Sequence, residues 1–269
     1  HCMNHDAAMS VVDYSSGIGE VLWAAHSERY SKVKNDHYLN WAIVNEANTY
    51  GPFDKVVYYE KPWLKKTRQL YAGQWADAFS YTELPKWHLD IFNIKIDEYE
   101  KHHDSHAAAG YFTSPFREAT ILTVDAIGEW DTVSISTAEK IWIERKETIK
   151  YPHSLGILYS AFTHRCGLKP AEEEYILMGM AAYGEPKYKD DIYNDFVHQS
   201  PLKLKQNLHR GLSDWHPEAD PMDLAASIQA VTEECLADLW RRASKYGSKN
   251  LVYAGGVALN CAATKYLQI

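Results

Sequence analysis

Two histidines four residues apart, followed by an acid at the end of an apolar run, constrain this chain more than any other feature. They lie in Lys101-His102-His103-Asp104-Ser105-His106-Ala107-Ala108-Ala109-Gly110 and in Thr120-Ile121-Leu122-Thr123-Val124-Asp125. The first stretch reads as a helix that ends near Ser114-Pro115. Helical residues i and i+4 project from one face one turn apart, so His102 and His106 can share a metal ion. The second stretch is apolar and β-branched and reads as a buried strand. Asp125 then stands at its C-terminal end, with Gly128 close behind, where α/β folds present ligand groups. Two imidazoles and a carboxylate form a sensible three-ligand set for a divalent transition metal. The alternative makes His106 a packed or capping helix residue and Asp125 a turn residue. The residues alone leave both readings open.

Composition narrows the function classes. A chain of 269 residues is long enough for two lobes or one large domain. Its 46% hydrophobic and 24% charged residues are ordinary for a globular protein. With 28 basic against 36 acidic residues the net charge is −8, which argues against a broad basic face that grips nucleic acid. The four cysteines, Cys2, Cys166, Cys235 and Cys261, form no C-x-x-C pair, so free thiols in a reducing compartment are expected. No run of about 18 apolar residues indicates a membrane span, and no signal-peptide pattern opens the chain. A cytoplasmic location is the default expectation.

The chain opens with Asn4-His5-Asp6 as a tight loop, followed by a hairpin of strands 9–14 and 20–25 around Ser15-Ser16-Gly17-Ile18-Gly19. No strand precedes that loop, so the natural N-terminus is expected to lie further upstream. Residues 26–34 are polar and basic and read as a solvated loop or an anion-facing edge. A helix over 39–47, a strand over 55–60 stopped by Pro62, a helix over 63–75, a stretch broken by Pro85, and a strand over 94–99 follow. Beyond the histidine helix a meander of strands covers 119–125, 132–137 and 141–149. It echoes the first hairpin: in each an acid in a tight loop precedes a strand, a turn and a second strand that runs out into Glu-Arg, from Asp6 to Glu28-Arg29 and from Asp125 to Glu144-Arg145. Two copies of one strand unit suggest an internal duplication, as in the actin-like ATPase fold; chance similarity of two hairpins is the other reading.

The remaining stretches carry further signals. Ser154–Thr163 reads as a helix closed by Gly167. Leu177-Met178-Gly179-Met180-Ala181-Ala182-Tyr183-Gly184 is apolar and glycine-punctuated, which predicts close backbone approach or helix packing. Residues 185–221 are polar and read as an insertion or lid. A long amphipathic helix runs over 223–246, with Asp223 as its N-cap and Gly247 as its stop. A buried strand over 250–254 then meets Gly255-Gly256, and a helix follows through Asn260. Bare glycines there let backbone N–H groups approach a phosphate or an adenine ring.

These motifs come in one order: His102-His103-x-x-His106-Ala107-Ala108, Leu122-Thr123-Val124-Asp125-x-x-Gly128-Glu129-Trp130, Ser154-Leu155-Gly156-x-x-Tyr159-Ser160-x-Phe162-Thr163, Met178 to Gly184, and Gly255-Gly256-Val257-Ala258-Leu259-Asn260-Cys261. In that order, and with Asn4-His5-Asp6-Ala7-Ala8 and Tyr58-Tyr59-Glu60-Lys61-Pro62 ahead of them, the chain resembles the O-carbamoyltransferases of nodulation-factor and antibiotic biosynthesis. The resemblance covers nearly the whole chain. It implies an α/β, actin-like ATPase (ribonuclease H-like, duplicated βββαβα) fold that is incomplete at both ends. The lobes would be 1–116 and 117–269, with the insertion at 185–221. It implies a divalent metal, Fe2+, on His102, His106 and Asp125, with a fourth ligand beyond the end of this chain. It implies ATP and carbamoyl-adenylate, with carbamoyl phosphate as donor, lined by Gly128, Gly255, Gly256 and Asn260. Asp6 would face the phosphate. Asp6 or His5 would serve as the base for a small-molecule hydroxyl acceptor. A separate C-terminal adenylate-forming domain would complete the enzyme. Ile176 stands where relatives carry Lys. Two competing readings are a non-catalytic actin-like nucleotide- and metal-binding module and a metallohydrolase on the same ligands; no nucleophile–base motif supports the latter.

Overall fold

The computed structural model describes residues 2, 6–17, 19–82, 84–198, 200–212 and 214–265. The chain divides into two compact units, His1–Ser105 and His106–Ile269.

In the first unit, β1 (Ala8–Asp13) and β2 (Glu20–His26) pair antiparallel, with a bulge between Val11 and Val12. The Asp13 carboxylate accepts from the Ser15 N–H at 2.8 Å and its hydroxyl at 2.9 Å, which shapes the turn between them. The chain then enters a short helix, α1 (Glu28–Ser31), where the sequence suggests a loop or an edge. Asn40 opens α2 (Trp41–Asn48) by accepting the Ala42 and Ile43 N–H groups. Ile43 and Val44 of α2 pack with Leu39, Tyr58, Leu89, Cys2 and Ala7 in one core. The buried His88 imidazole ties this core to the backbone, its Nε2 accepting the Leu39 N–H at 2.9 Å.

The rest of this unit departs from the sequence reading in three places. The strands expected over 55–60 and 94–99 shrink to β3 (Val57–Tyr58) and a later two-residue strand (Glu98–Tyr99), paired in parallel. The ladder stops because the Asp97 carboxylate takes the Val56 N–H at 2.8 Å. The single helix expected over 63–75 is two, α3 (Pro62–Tyr71) and α4 (Trp75–Phe79). Gly73 between them adopts φ +74°, which no helix continues through. Pro85 begins a helix, α5 (Pro85–Leu89), rather than only breaking the chain; its missing N–H costs nothing in a first turn. The strand Glu98–Tyr99 is β4.

A continuous helix, α6 (His102–Phe112), carries the chain across the division between the units. In the second unit, β5 (Glu118–Val124), β6 (Asp131–Glu139) and β7 (Trp142–Lys150) form the expected meander. After them come α7 (Leu155–Arg165), α8 (Glu174–Met180), α9 (Lys189–Asp195), β8 (Val197–His198), β9 (Lys203–Leu204) and α10 (Pro221–Ala243). The last elements are β10 (Leu251–Ala254), a 3-10 turn over Gly256–Leu259, and α11 (Cys261–Thr264). The main sheet has the order β10-β5-β6-β7, with β10 parallel to β5 and the other pairs antiparallel. It is a mixed sheet in an α/β unit.

Six of the seven β5 residues are buried. A strand covered on both faces reads as a continuous apolar run rather than an alternating one. On one face Ala119, Ile121 and Val252 pack with Ala107 and Tyr111 of α6. Gly110 allows this approach, since a Cβ there would sit 2.7 Å from Val252 Cγ1. The opposite face meets α10, in which Leu224, Ile228, Val231, Cys235, Leu236 and Leu239 are fully buried. Burial pushes the Cys235 thiol up to about 12, so it packs as an inert apolar group. All four cysteines are free thiols.

Here too the structure corrects particular expectations. The N-cap of α10 is Asp220, which accepts the Met222 N–H. Asp223 lies in the first turn and instead receives the Glu185 N–H at 2.8 Å and Lys187 Nζ at 2.6 Å. Those contacts hold residues 185–221 down. Tyr188 N–H also bonds Ser227 Oγ, Lys189 and Tyr193 bond Glu234, and Trp215 packs 5.3 Å from both Phe162 and Phe196. The described residues of this segment pack on the second unit. Of the two glycines in 177–184, only Gly184 meets backbone closely: a Cβ would sit 2.0 Å from Met222 O, whereas Gly179 faces open space. Each acid of the echo precedes an antiparallel strand pair: Asp6 stands before β1 and β2, and Asp125 before β6 and β7, although Glu144-Arg145 lies within β7 whereas Glu28-Arg29 follows β2.

Two predictions follow from this packing. Gly184→Ala should destabilise the chain by about 3 kcal/mol in urea denaturation, since a rigid backbone leaves no room for the methyl group. Burial lowers the pKa values of His88 and His153 from the usual 6.5. Each imidazole is then neutral when folded and gains its proton more readily when unfolded. Their stabilisation is therefore complete above pH 6.5 and is lost as pH falls through the depressed folded values. Urea midpoints should drop between pH 7.5 and 5.5, and His88→Gln should flatten that dependence.

Candidate metal centre

The site is built where β5 ends. His102 and His106 sit one turn apart on α6, as their spacing predicts. The first turn of that helix is fastened by Ser105, whose hydroxyl donates to Tyr59 O at 2.9 Å. The Tyr59 ring lies 5.2 Å from the His102 ring. Asp125 follows the last residue of β5. One ligand atom from each of His102, His106 and Asp125 lies within 4.8 Å of the other two. His106 Nε2 and Asp125 Oδ2 are 3.8 Å apart.

The donor set fits a divalent transition metal. Metal–ligand bonds of about 2.1 Å place neighbouring ligands about 3.0–3.4 Å apart. The His106–Asp125 separation needs about 0.4–0.8 Å of closure and no pair in the set exceeds 4.8 Å, distances that side-chain rotation spans. Two nitrogens and one carboxylate with the remaining positions open form the pattern used by Fe(II) and by catalytic Zn(II) sites.

Asp125 is held by its surroundings. Its N–H donates to Thr132 O and the Gly128 N–H donates to Asp131 O, which closes the β5–β6 turn. Gly128 is buried in that turn. Ser154 clamps the same loop from below: its hydroxyl donates to Ala126 O at 2.5 Å while accepting the Ile157 N–H as the cap of α7. Gly156 lets the loop lie on the helix, since a Cβ there would be 2.5 Å from Ala126 Cα. Ser154 and Gly156 stand in the sequence motif, yet nothing in the sequence reveals that they grip the Asp125 loop.

Parallel pairing of β10 with β5 brings the glycine pair to the same place. Gly255 adopts φ +96°, and a Cβ on it would strike Val124 O at 2.3 Å. The Gly256 N–H donates to Asp125 Oδ1 at 3.0 Å. Gly255 and Gly256 thus adjoin the histidine–aspartate group.

Asn260 adjoins the same turn. Its side chain caps α11 by accepting the Ala263 N–H, and its amide pairs with Gln229 in both directions at 2.9 and 3.1 Å. Tyr159 donates to the same Gln229 oxygen at 3.0 Å. Burial raises the Tyr159 phenol well above its usual range, which keeps it a neutral donor. Gln229 is absent from the sequence reading. Its signal is a polar residue beside the buried Ile228 stripe of α10. Asp6 precedes β1 in the first unit with φ +62°, and His5 lies outside the described residues.

Comparison with known proteins now assigns the class. The family model for the carbamoyltransferase N-terminus matches residues 71–268. An uncharacterized Synechocystis protein, sll1178, is 33% identical over 96% of this chain and 50% of its own length. The nodulation protein NolNO of Sinorhizobium fredii is 27% identical over 96% of this chain and 41% of its own. A Methanocaldococcus jannaschii protein, MJ1058, is 29% identical over 87% of this chain and 42% of its own. The solved structure of T. kodakarensis HypF aligns with 98% of this chain and 43% of that one, at 12% identity and a TM-score of 0.48. This chain belongs to the carbamoyltransferase family and corresponds to its N-terminal region. It spans about half the length, or less, of these curated relatives. Among the described residues no helix is long and apolar enough to cross a membrane.

Ser154→Ala removes a helix cap and a loop clamp together. A loss of about 1–2 kcal/mol is expected in thermal or urea unfolding, with the candidate ligands themselves untouched.

Proposed function

We propose that this chain is the carbamoyl-transferring part of a larger enzyme. The donor is carbamoyl-adenylate, made from carbamoyl phosphate and ATP by a C-terminal domain, and the acceptor is a hydroxyl of a small molecule. The observation that carries this reading is the convergence of His102, His106 and Asp125 beside the Gly255–Gly256 turn in a member of the carbamoyltransferase family. A duplicated actin-like fold, with lobes 1–116 and 117–269, belongs to the same proposal.

In the transfer step the acceptor oxygen forms a bond to the carbamoyl carbon. The bond from that carbon to the adenylate phosphate oxygen breaks, and AMP leaves with both bonding electrons. The acceptor proton passes to a base, for which Asp6 or His5 is proposed. His102, His106 and Asp125 would hold a divalent cation, Fe2+, which would supply positive charge beside the carbamoyl carbonyl or the departing phosphate. The Gly255–Gly256 turn offers bare backbone that a phosphate or a nucleotide approaches without side-chain obstruction. Gly128 and Asn260 are proposed to line the adenylate site with that turn; Gly128 also shapes the Asp125 loop, and Asn260 fixes the far end of the glycine turn. Residues 63–92 and 185–221 are proposed to shape acceptor choice.

Metal content and ATP binding test the reading on this chain. The parent should hold one divalent metal per chain and bind ATP, and the His102→Ala/His106→Ala double variant should lose the metal. In the full-length protein, AMP release and carbamoylated product should both require carbamoyl phosphate. Metal and nucleotide binding without any carbamoylated product would replace this reading with a non-catalytic module.

A further inference from the structure

We propose that the main chain of Gly256 is a positioning group for the metal site. Its N–H, donated to Asp125 Oδ1, sets the carboxylate so that Oδ2 faces His106, and thereby couples metal occupancy to the shape of the glycine turn. This rests on the metal reading above. The carboxylate has two oxygens with separate duties: Oδ1 lies 3.0 Å from the Gly256 nitrogen, and Oδ2 lies 3.8 Å from His106 Nε2. A ligand carboxylate held by a second hydrogen bond keeps its orientation and binds metal more tightly.

Both ends of this bond are anchored. On one side Asp125 closes the β5–β6 turn through its own N–H and is flanked by the Ser154 clamp on Ala126. On the other side Gly255 is wedged against Val124 O, where any Cβ would be 2.3 Å away. The downstream end of the turn is locked by Asn260, Gln229 and Tyr159. The turn therefore holds the donor at a fixed place relative to β5. This also accounts for glycine at position 256, where φ is not positive. A Cβ there would stand 2.7 Å from Asp125 Oδ1. That oxygen is the end of a side chain and can swing away, so a methyl group disturbs the ligand far more than the fold. By reciprocity, a metal that holds Oδ2 also strengthens the hold of Oδ1 on the turn. Any anionic ligand that needs the turn in this shape then binds more tightly when metal is present.

Co2+ titration followed by visible absorption, with the His102→Ala/His106→Ala variant as blank, tests the proposal. Gly256→Ala should keep the parent's circular dichroism and thermal midpoint, weaken Co2+ affinity about 10- to 100-fold and change the visible band. Leu259→Ala, exposed in the same turn, should bind Co2+ as the parent does. In 15N-labelled parent protein, the Gly256 amide should exchange slowly with solvent. It should slow further, and its cross-peak should shift, with the midpoint of a Zn2+ titration. Should the parent bind Co2+ and Gly256→Ala bind it equally with the same band, the positioning role is overturned and the metal reading stands. A freely exchanging Gly256 amide, or equal loss of affinity in Leu259→Ala, overturns it as well. Failure of the parent to bind either metal removes the metal reading and this proposal with it.

Discussion

The parallel pairing of β10 with β5 is the contact on which the site depends. It joins residues 131 positions apart, so that the Gly256 N–H meets Asp125. Neither strand supports the other by pairing alone. β5 is held between α6 and α10, which bury both of its faces. β10 can lie beside it only because Gly110 leaves room under α6 and Gly255 leaves room at Val124. A single methyl group at either glycine would push the strand ends apart, since a close-packed interior transmits such changes directly.

Polar locks complete what packing begins. The end of β5 emerges into a loop, and loops do not by themselves hold ligand atoms to a few tenths of an ångström. Here the loop is gripped by Ser154, backed by Gly156, and faced by the glycine turn, which is itself pinned through Asn260, Gln229 and Tyr159. Each lock satisfies groups that would be costly to leave unpaired in a buried setting. The result is a carboxylate presented to two imidazoles from a rigid frame. Rigid presentation is the condition for using a metal or a phosphate ligand in chemistry rather than merely binding it.

Local signals in the sequence were readable where one physical rule decides. The i, i+4 histidine spacing required only a helix, and α6 is that helix. The apolar run before Asp125 required only burial on both faces. Ser154 and Asn40 cap their helices by the ordinary preference of short polar side chains. The misreadings arose where two rules compete. Asp223 has the chemistry of a cap, but Pro221 suits a first turn, so the cap moved to Asp220 and Asp223 was freed to bind residues 185 and 187. Residues 63–75 have helical composition, but Gly73 takes a left-handed conformation and divides them.

The sequence by itself determined that His102 and His106 share one helix face and that a strand end carries Asp125, because helix and strand periodicity depend on local geometry alone. It determined family membership too, because that rests on the order of several short motifs. Only the tertiary structure decided that Gly256 serves Asp125, that Ser154 grips its loop and that Gln229 holds Asn260. Those partners are joined by packing across 28 to 131 residues. No local preference records such distances, since they follow from how the sheet and its covering helices exclude water together.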